Sequence, residues 1–191
     1  MKIEKGQPGY IKAQKTKYLI WALAEFGIVI AILVLGYMQT GSKMNLFTII
    51  AIVGCLPASK MLVEFITMSP HKSISVEKYN EIEEKAALLT RVYDLLITSS
   101  EKVMPVTAIV ISGHTVCGYC ESPKTDEVKC ARYIKEMLKN NKYDKVTVKL
   151  FHDYNAFLSR AEGMNSIASV EQAENRKREK GIRKLILTTA M

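Results

Sequence analysis

His114, Cys117, Cys120 and Cys130 are the residues of this chain whose types and spacing come closest to chemistry. The stretch HTVCGYCES, residues 114–122, sets two cysteines three positions apart with a glycine between them. Three roles fit that spacing. A Cys-x-x-Cys pair with its first thiol at a helix N-terminus is a redox dithiol, because the helix dipole favours the thiolate. A Cys-x-x-Cys turn followed by further nitrogen or sulfur donors is part of a zinc site, and all four residues are acceptable ligands. Two small polarisable side chains in a strand simply pack.

The tetrapeptide CGYC resembles the active-site tetrapeptide of glutaredoxins, which implies a dithiol whose first cysteine opens a helix. Pro123 opposes this, because it falls six residues past Cys117 and would break that helix in its second turn. No proline follows Pro123 to supply the cis-proline that thioredoxin-like folds place beside the dithiol. The zinc reading has one Cys-x-x-Cys module, and its remaining ligand is Cys130 in a helical segment. In a strand over 115–120 an offset of three puts Cys117 and Cys120 on opposite faces. Packing is the expected role of these thiols. Zinc on His114, Cys117, Cys120 and Cys130 is the alternative, and no other cofactor is expected.

Other constellations are sparse. His152–Asp153 closes a strand-like segment, where a sheet end could present them to a ligand. No glycine-rich phosphate loop is present. The run NRKREKGIRK, residues 175–184, carries Arg176, Lys177, Arg178, Lys180, Arg183 and Lys184 against one acid, Glu179. A solvated helix face explains such a run. Anionic lipid headgroups are the partner it would otherwise meet, with Arg176, Lys177, Arg178 and Lys180 as contacts, at about 1 kcal/mol per well-placed cation. Aromatic residues are not interleaved there, so nucleic acid is not expected.

The elements that position these residues begin with two apolar segments. Tyr18–Met38 is 21 residues with one charge, Glu25, and Asn45–Met68 is 24 residues with two, Lys60 and Glu64. About 20 apolar residues span a bilayer core of roughly 30 Å. The first segment is too long for a signal peptide and is followed by no small-x-small cleavage site. The expectation is a transmembrane hairpin in contact with the lipid bilayer. Five lysines precede the first segment, at 2, 5, 12, 15 and 17, and only Lys43 lies in the loop Gln39–Met44. The positive-inside rule then places both termini in the cytoplasm. Glu25 and Lys60 lie seven and eight residues from the cytoplasmic edges of their segments, at depths of roughly 11 and 12 Å. They are expected to pair across the hairpin, with Glu64 sharing the lysine. Cytoplasmic thiols are not expected to form disulfides.

From Pro70 the composition becomes mixed. Residues 70–75 read as a linker, 76–92 as a helix, 93–99, 106–112 and 114–120 as strands, and 126–139 as a helix. Residues 145–151 read as a strand, 153–163 and 171–181 as helices, and KLILTT, 184–189, as a last strand. Leu95, Ile97, Ile109, Ile111, Val146, Val148 and Leu150 are the expected core. The fold class is a membrane-anchored α/β (or α+β) protein, in which residues 1–17 are a basic N-terminus, 18–68 a hairpin and 76–191 a mixed-sheet cytoplasmic domain.

The order helix–strand–strand–strand–helix–strand over 76–151 is similar to the core of restriction-endonuclease-like nucleases, including the nuclease-related domain of some membrane proteins. That family places an acid on the second core strand and an acid-x-lysine on the third, to hold Mg²⁺ and position water. Here VTAIVIS has no acid, Glu121 is followed by Ser122 and Pro123, and Asp94 lies one strand too early. The resemblance implies a binding module. The expected function is a non-enzymatic, membrane-anchored binding or scaffolding protein with a protein partner. The alternative is a membrane-tethered metal-dependent hydrolase or nuclease-like enzyme.

Overall fold

The computed structural model describes residues 3–42, 45–99, 102–170 and 176–191. The chain divides into a helical unit, Ile11–Lys72, and an α/β unit built from residues 3–10 and Ser73–Met191. Lys2, Lys43, residues 100–101 and residues 171–175, the expected start of the charged helix, lie outside the described residues.

The helical unit holds α1 (Tyr10–Thr40) and α2 (Leu46–Met68), of 31 and 23 residues. By length and composition both could cross a membrane. The first helix starts eight residues before the apolar run. Lysine is a good helix former, so Lys12, Lys15 and Lys17 extend the helix back to the turn at Gly9, φ +83°. Asn45 caps α2, its side chain accepting from the Thr48 amide at 2.9 Å. The two helices run antiparallel. A Cβ on Gly36 would strike Phe47, one on Gly54 would press on Val29, and Ala22, Ala51 and Ala58 are buried. Small residues at these positions let the backbones approach. Trp21, Leu23, Ile30, Ile52, Leu56 and Ile66 are among the large apolar side chains left exposed.

In the α/β unit, α3 (Val76–Lys85) precedes β1 (Thr90–Thr98), β2 (Val103–Ser112) and β3 (Thr115–Tyr119). Then follow α4 (Glu127–Asn140), β4 (Thr147–Phe151), α5 (Tyr154–Val170) and α6 (Arg176–Thr189). The sheet order is β1-β2-β3-β4, antiparallel except for the last pair. One face packs Leu95, Ile109, Ile111 and Val116 under α4 and α6, and the other packs Tyr93, Val110 and Cys117 under α3 and α5. Covering on both faces explains why Val92–Ile97 is buried without alternation. The outer edge of β1 is met by other backbone of the same unit. The Tyr93 amide donates to the Gly6 carbonyl at 2.9 Å, the Met191 amide donates to the Leu96 carbonyl at 2.8 Å, and Ala190 bridges Ile97.

Three expectations are corrected here. The first helix of the unit ends at Lys85, not at residue 92. Its periodic Leu89 and Val92 are buried from the turn and from β1, whose β-branched start at Thr90 suits a strand. KLILTT is helical, because Ile182, Ile186 and Ala190 recur every four residues and are buried, the first two against the sheet. Gly181 does not stop α6, since the Tyr143 phenol occupies the space where a side chain at 181 would stand. Of the expected core only Val148 is partly buried, because β4 is an edge strand.

Candidate functional site at the end of the parallel strand pair

Helix α4 carries the chain back across the sheet, so β3 and β4 run parallel, in register from Thr115↔Thr147 to Tyr119↔Phe151. Their C-terminal ends therefore coincide. Tyr119, Cys120 and Glu121 leave one strand beside Phe151, His152 and Asp153 of the other. The C-terminal end of parallel strands is where open α/β sheets place their ligands.

Lys78 of α3 reaches this end. Ser75 caps the helix by accepting from the Lys78 amide at 3.4 Å. The Lys78 ammonium donates to Glu121 Oε1 at 2.6 Å and to the Tyr119 hydroxyl at 3.0 Å. It also lies 5.0 Å from the Tyr119 ring centre and 5.3 Å from that of Tyr154. Burial works against its charge, but the bonds to Glu121 and Tyr119 prevail and raise its pKa. The Tyr154 hydroxyl donates to Glu81 Oε2 at 2.9 Å, and burial together with Glu81 pushes that phenol up. Tyr119 and Tyr154 meet edge to face at 5.3 Å. The result is a cation held between two phenol rings and a carboxylate, with a second carboxylate behind.

His152 braces the same end. Its Nδ1 lies 2.9 Å from the Cys120 carbonyl and its Nε2 2.8 Å from the Thr125 carbonyl, so the ring spans the loop between β3 and α4. A neutral imidazole donates to one of these carbonyls and an imidazolium to both. Asp153 accepts from the Asn155 amide at 2.9 Å at the start of α5.

The four residues of the zinc alternative do not share one face of the sheet. Cys117 faces the α3/α5 side of the sheet, whereas Cys120 and Cys130 sit in the α4/α6 core. His114 is exposed in the β2–β3 turn. Strand alternation separates Cys117 from Cys120 as the offset of three requires. Burial pushes the Cys117 thiol up to about 11 and those of Cys120 and Cys130 up to about 12, the reverse of the shift that metal binding or nucleophilic chemistry needs. Among the described residues no group of three or more His, Cys, Asp or Glu could hold a metal ion.

The expected intramembrane pair is also not formed. Lys60 is exposed, two residues and so about 200° around α2 from the buried Ala58. That rotation turns it away from α1. Glu25 is half-buried with Oε2 facing no partner, Glu64 is half-buried, and among the described residues no ion pair joins the three. Of the expected lipid contacts, Arg176, Lys177 and Lys180 are exposed, while Arg178 lies 5.7 Å over the Tyr143 ring.

Asp94, which the sequence offers only as an acid one strand too early for a metal site, has a different role in the structure. It is 1% exposed in mid-strand at φ +53°. Its Oδ2 accepts from the Gly9 amide at 2.7 Å and its Oδ1 from the Ile74 amide at 2.8 Å. These amides lie just before α1 and just after α2. One charge inside the apolar run VYDLLI was the available signal.

Compared with protein-family models, with curated proteins and with solved structures, the chain shows no match in any of the three.

Proposed function

We propose that this chain is an integral membrane protein whose two apolar helices hold the α/β unit at the cytoplasmic bilayer surface as a binding or scaffolding module. The observation that carries the reading is the set of large apolar side chains exposed along α1 and α2. Water would penalise that surface by roughly 25 cal/mol per Å², and lipid would not. The lysine asymmetry about the first helix supports cytoplasmic termini. The end of the β3–β4 pair, with Lys78, Tyr119, Glu121 and Tyr154, is the surface at which a protein partner would be read. The likeness of residues 76–151 to the restriction-endonuclease-like core is one of element order in such a module. Its strand-borne acid, Asp94, spends both oxygens on backbone amides.

Alkaline extraction of membranes tests the anchor: the chain should stay in the pellet and leave it only with detergent. Reporters fused after residue 42 and after residue 191 should then report opposite sides. Recovery in the carbonate supernatant, or matching reporter signals, would overturn the reading.

A further inference from the structure

The basic run of α6 is not used by that function, and the fold sorts its charges. Glu179, its one acid, turns inward, where Oε1 accepts from the Gly113 amide at 2.7 Å and Oε2 from the Thr90 hydroxyl at 2.9 Å. Arg178 turns to the Tyr143 ring. Lys180, Arg183 and Lys184 are left together, and with Leu187 and Thr188 they line a depression of about 300 Å³. Among the described residues no carboxylate pairs with these three cations. Lysines at i and i+4 with an arginine at i+3 repel one another along one helix face. The Thr188 hydroxyl donates to the Lys184 carbonyl at 2.8 Å, so its proton is already used and the cations are the donors of the depression.

We propose that Lys180, Arg183 and Lys184 form a binding site for a phosphate-bearing anion. Arginine supplies a planar fork that matches two phosphate oxygens, and the lysines supply point charges one helical turn apart. Leu187 gives the site an apolar flank. The chemistry is shared by an anionic lipid headgroup and a soluble phosphate compound. Of the contacts the sequence singled out only Lys180 belongs to this site, because Arg178 stacks on Tyr143 and the depression is lined by the later turns of α6.

The test is lysine acetylation of the full chain, read by mass spectrometry at Lys180 and Lys184 against Lys135 and Lys139 of α4. One arm compares nanodiscs of phosphatidylcholine alone with discs containing phosphatidylglycerol. The other adds inorganic pyrophosphate to the full chain in neutral discs and in detergent micelles, so it is decided whether or not the helices insert. Protection of Lys180 and Lys184 by about five-fold, reduced in Arg183→Gln and partly kept in Arg183→Lys at unchanged melting temperature, supports the site. Protection by anionic discs alone assigns the headgroup, and protection by pyrophosphate assigns a soluble phosphate. Equal labelling in every arm, or equal protection of the α4 lysines, overturns it.

Discussion

The two units keep charge and apolar surface in opposite ways. The α/β unit turns apolar side chains inward on both faces of its sheet and gives its buried carboxylate, Asp94, two amide donors. The helical unit turns large apolar side chains outward and leaves one oxygen of Glu25 with no partner. The α/β unit thus carries its solvent-excluded core within itself, whereas the helical unit leaves many of its large apolar side chains exposed.

The largest effect should come from Asp94→Ala. It strands the Gly9 and Ile74 amides in the interior, and two lost bonds to a charged acceptor cost about 3 kcal/mol or more. Pulse proteolysis of the full chain in mild detergent should show the α/β unit opening at lower urea. A change under 1 kcal/mol would mean that those amides find water. A fragment of residues 70–191 should be destabilised in the same sense, since it lacks Gly6 and Gly9, and a peptide of residues 1–10 should restore part of the loss.

A pair of glycines sharpens the contrast next. A Cβ at Gly118 would collide with the Leu150 side chain and sit 3.3 Å from the Ala108 carbonyl, whereas one at Gly27 in α1 meets nothing within 4 Å. Gly118→Ala should cost about 1–3 kcal/mol. Gly27→Ala should leave stability unchanged or raise it by up to about 1 kcal/mol. Similar outcomes for both would show that the close contacts at Gly118 do not set its tolerance to a side chain.

The buried thiols give a pH dependence to the α/β unit alone. An ordinary thiol ionises near pH 9, whereas these hold their protons to about 11 or 12. The unfolded state thus releases protons first. Their contribution to stability is complete below pH 9 and falls as pH rises from 9 toward 12. The urea midpoint should drop between pH 8.5 and 10.5, and the drop should be smaller when Cys117, Cys120 and Cys130 are all alanine. At pH 8 a thiol-alkylating reagent should leave all three unmodified until the chain is unfolded.

The smallest effects belong to the exposed and half-exposed charges. Glu25→Leu should not lower the membrane accumulation of the chain, because among the described residues no ion pair holds that carboxylate. A loss restored by adding Lys60→Glu to Glu25→Lys would instead establish the pair that this structure lacks. Lys78→Met should cost less than about 1 kcal/mol, as part-exposed ion pairs do, and should weaken a partner that reads the β3–β4 end.

Periodicity and turn chemistry alone determined most of the elements. The apolar lengths of α1 and α2, the Asp126 cap of α4 and the alternation of β4 are local properties, and a strand offset of three is enough to separate Cys117 from Cys120. What the sequence left open depended on partners distant along the chain. Whether 184–189 is strand or helix turned on the burial of Ile182 and Ile186 against the sheet, with Gly181 leaving room for the Tyr143 phenol. The nearness of Lys78 to Tyr119 and Glu121 follows from the parallel crossover, which no local pattern encodes. Which way Lys60 points follows from the small residues chosen for the helix contact, not from its depth. Asp94 reads locally as a misplaced acid in an apolar strand, and only the fold brings it the amides of Gly9 and Ile74, which lie 85 and 20 residues away. Local sequence sets backbone conformation through short-range sterics and periodic burial. The donors of a buried charge are set by where the whole chain closes.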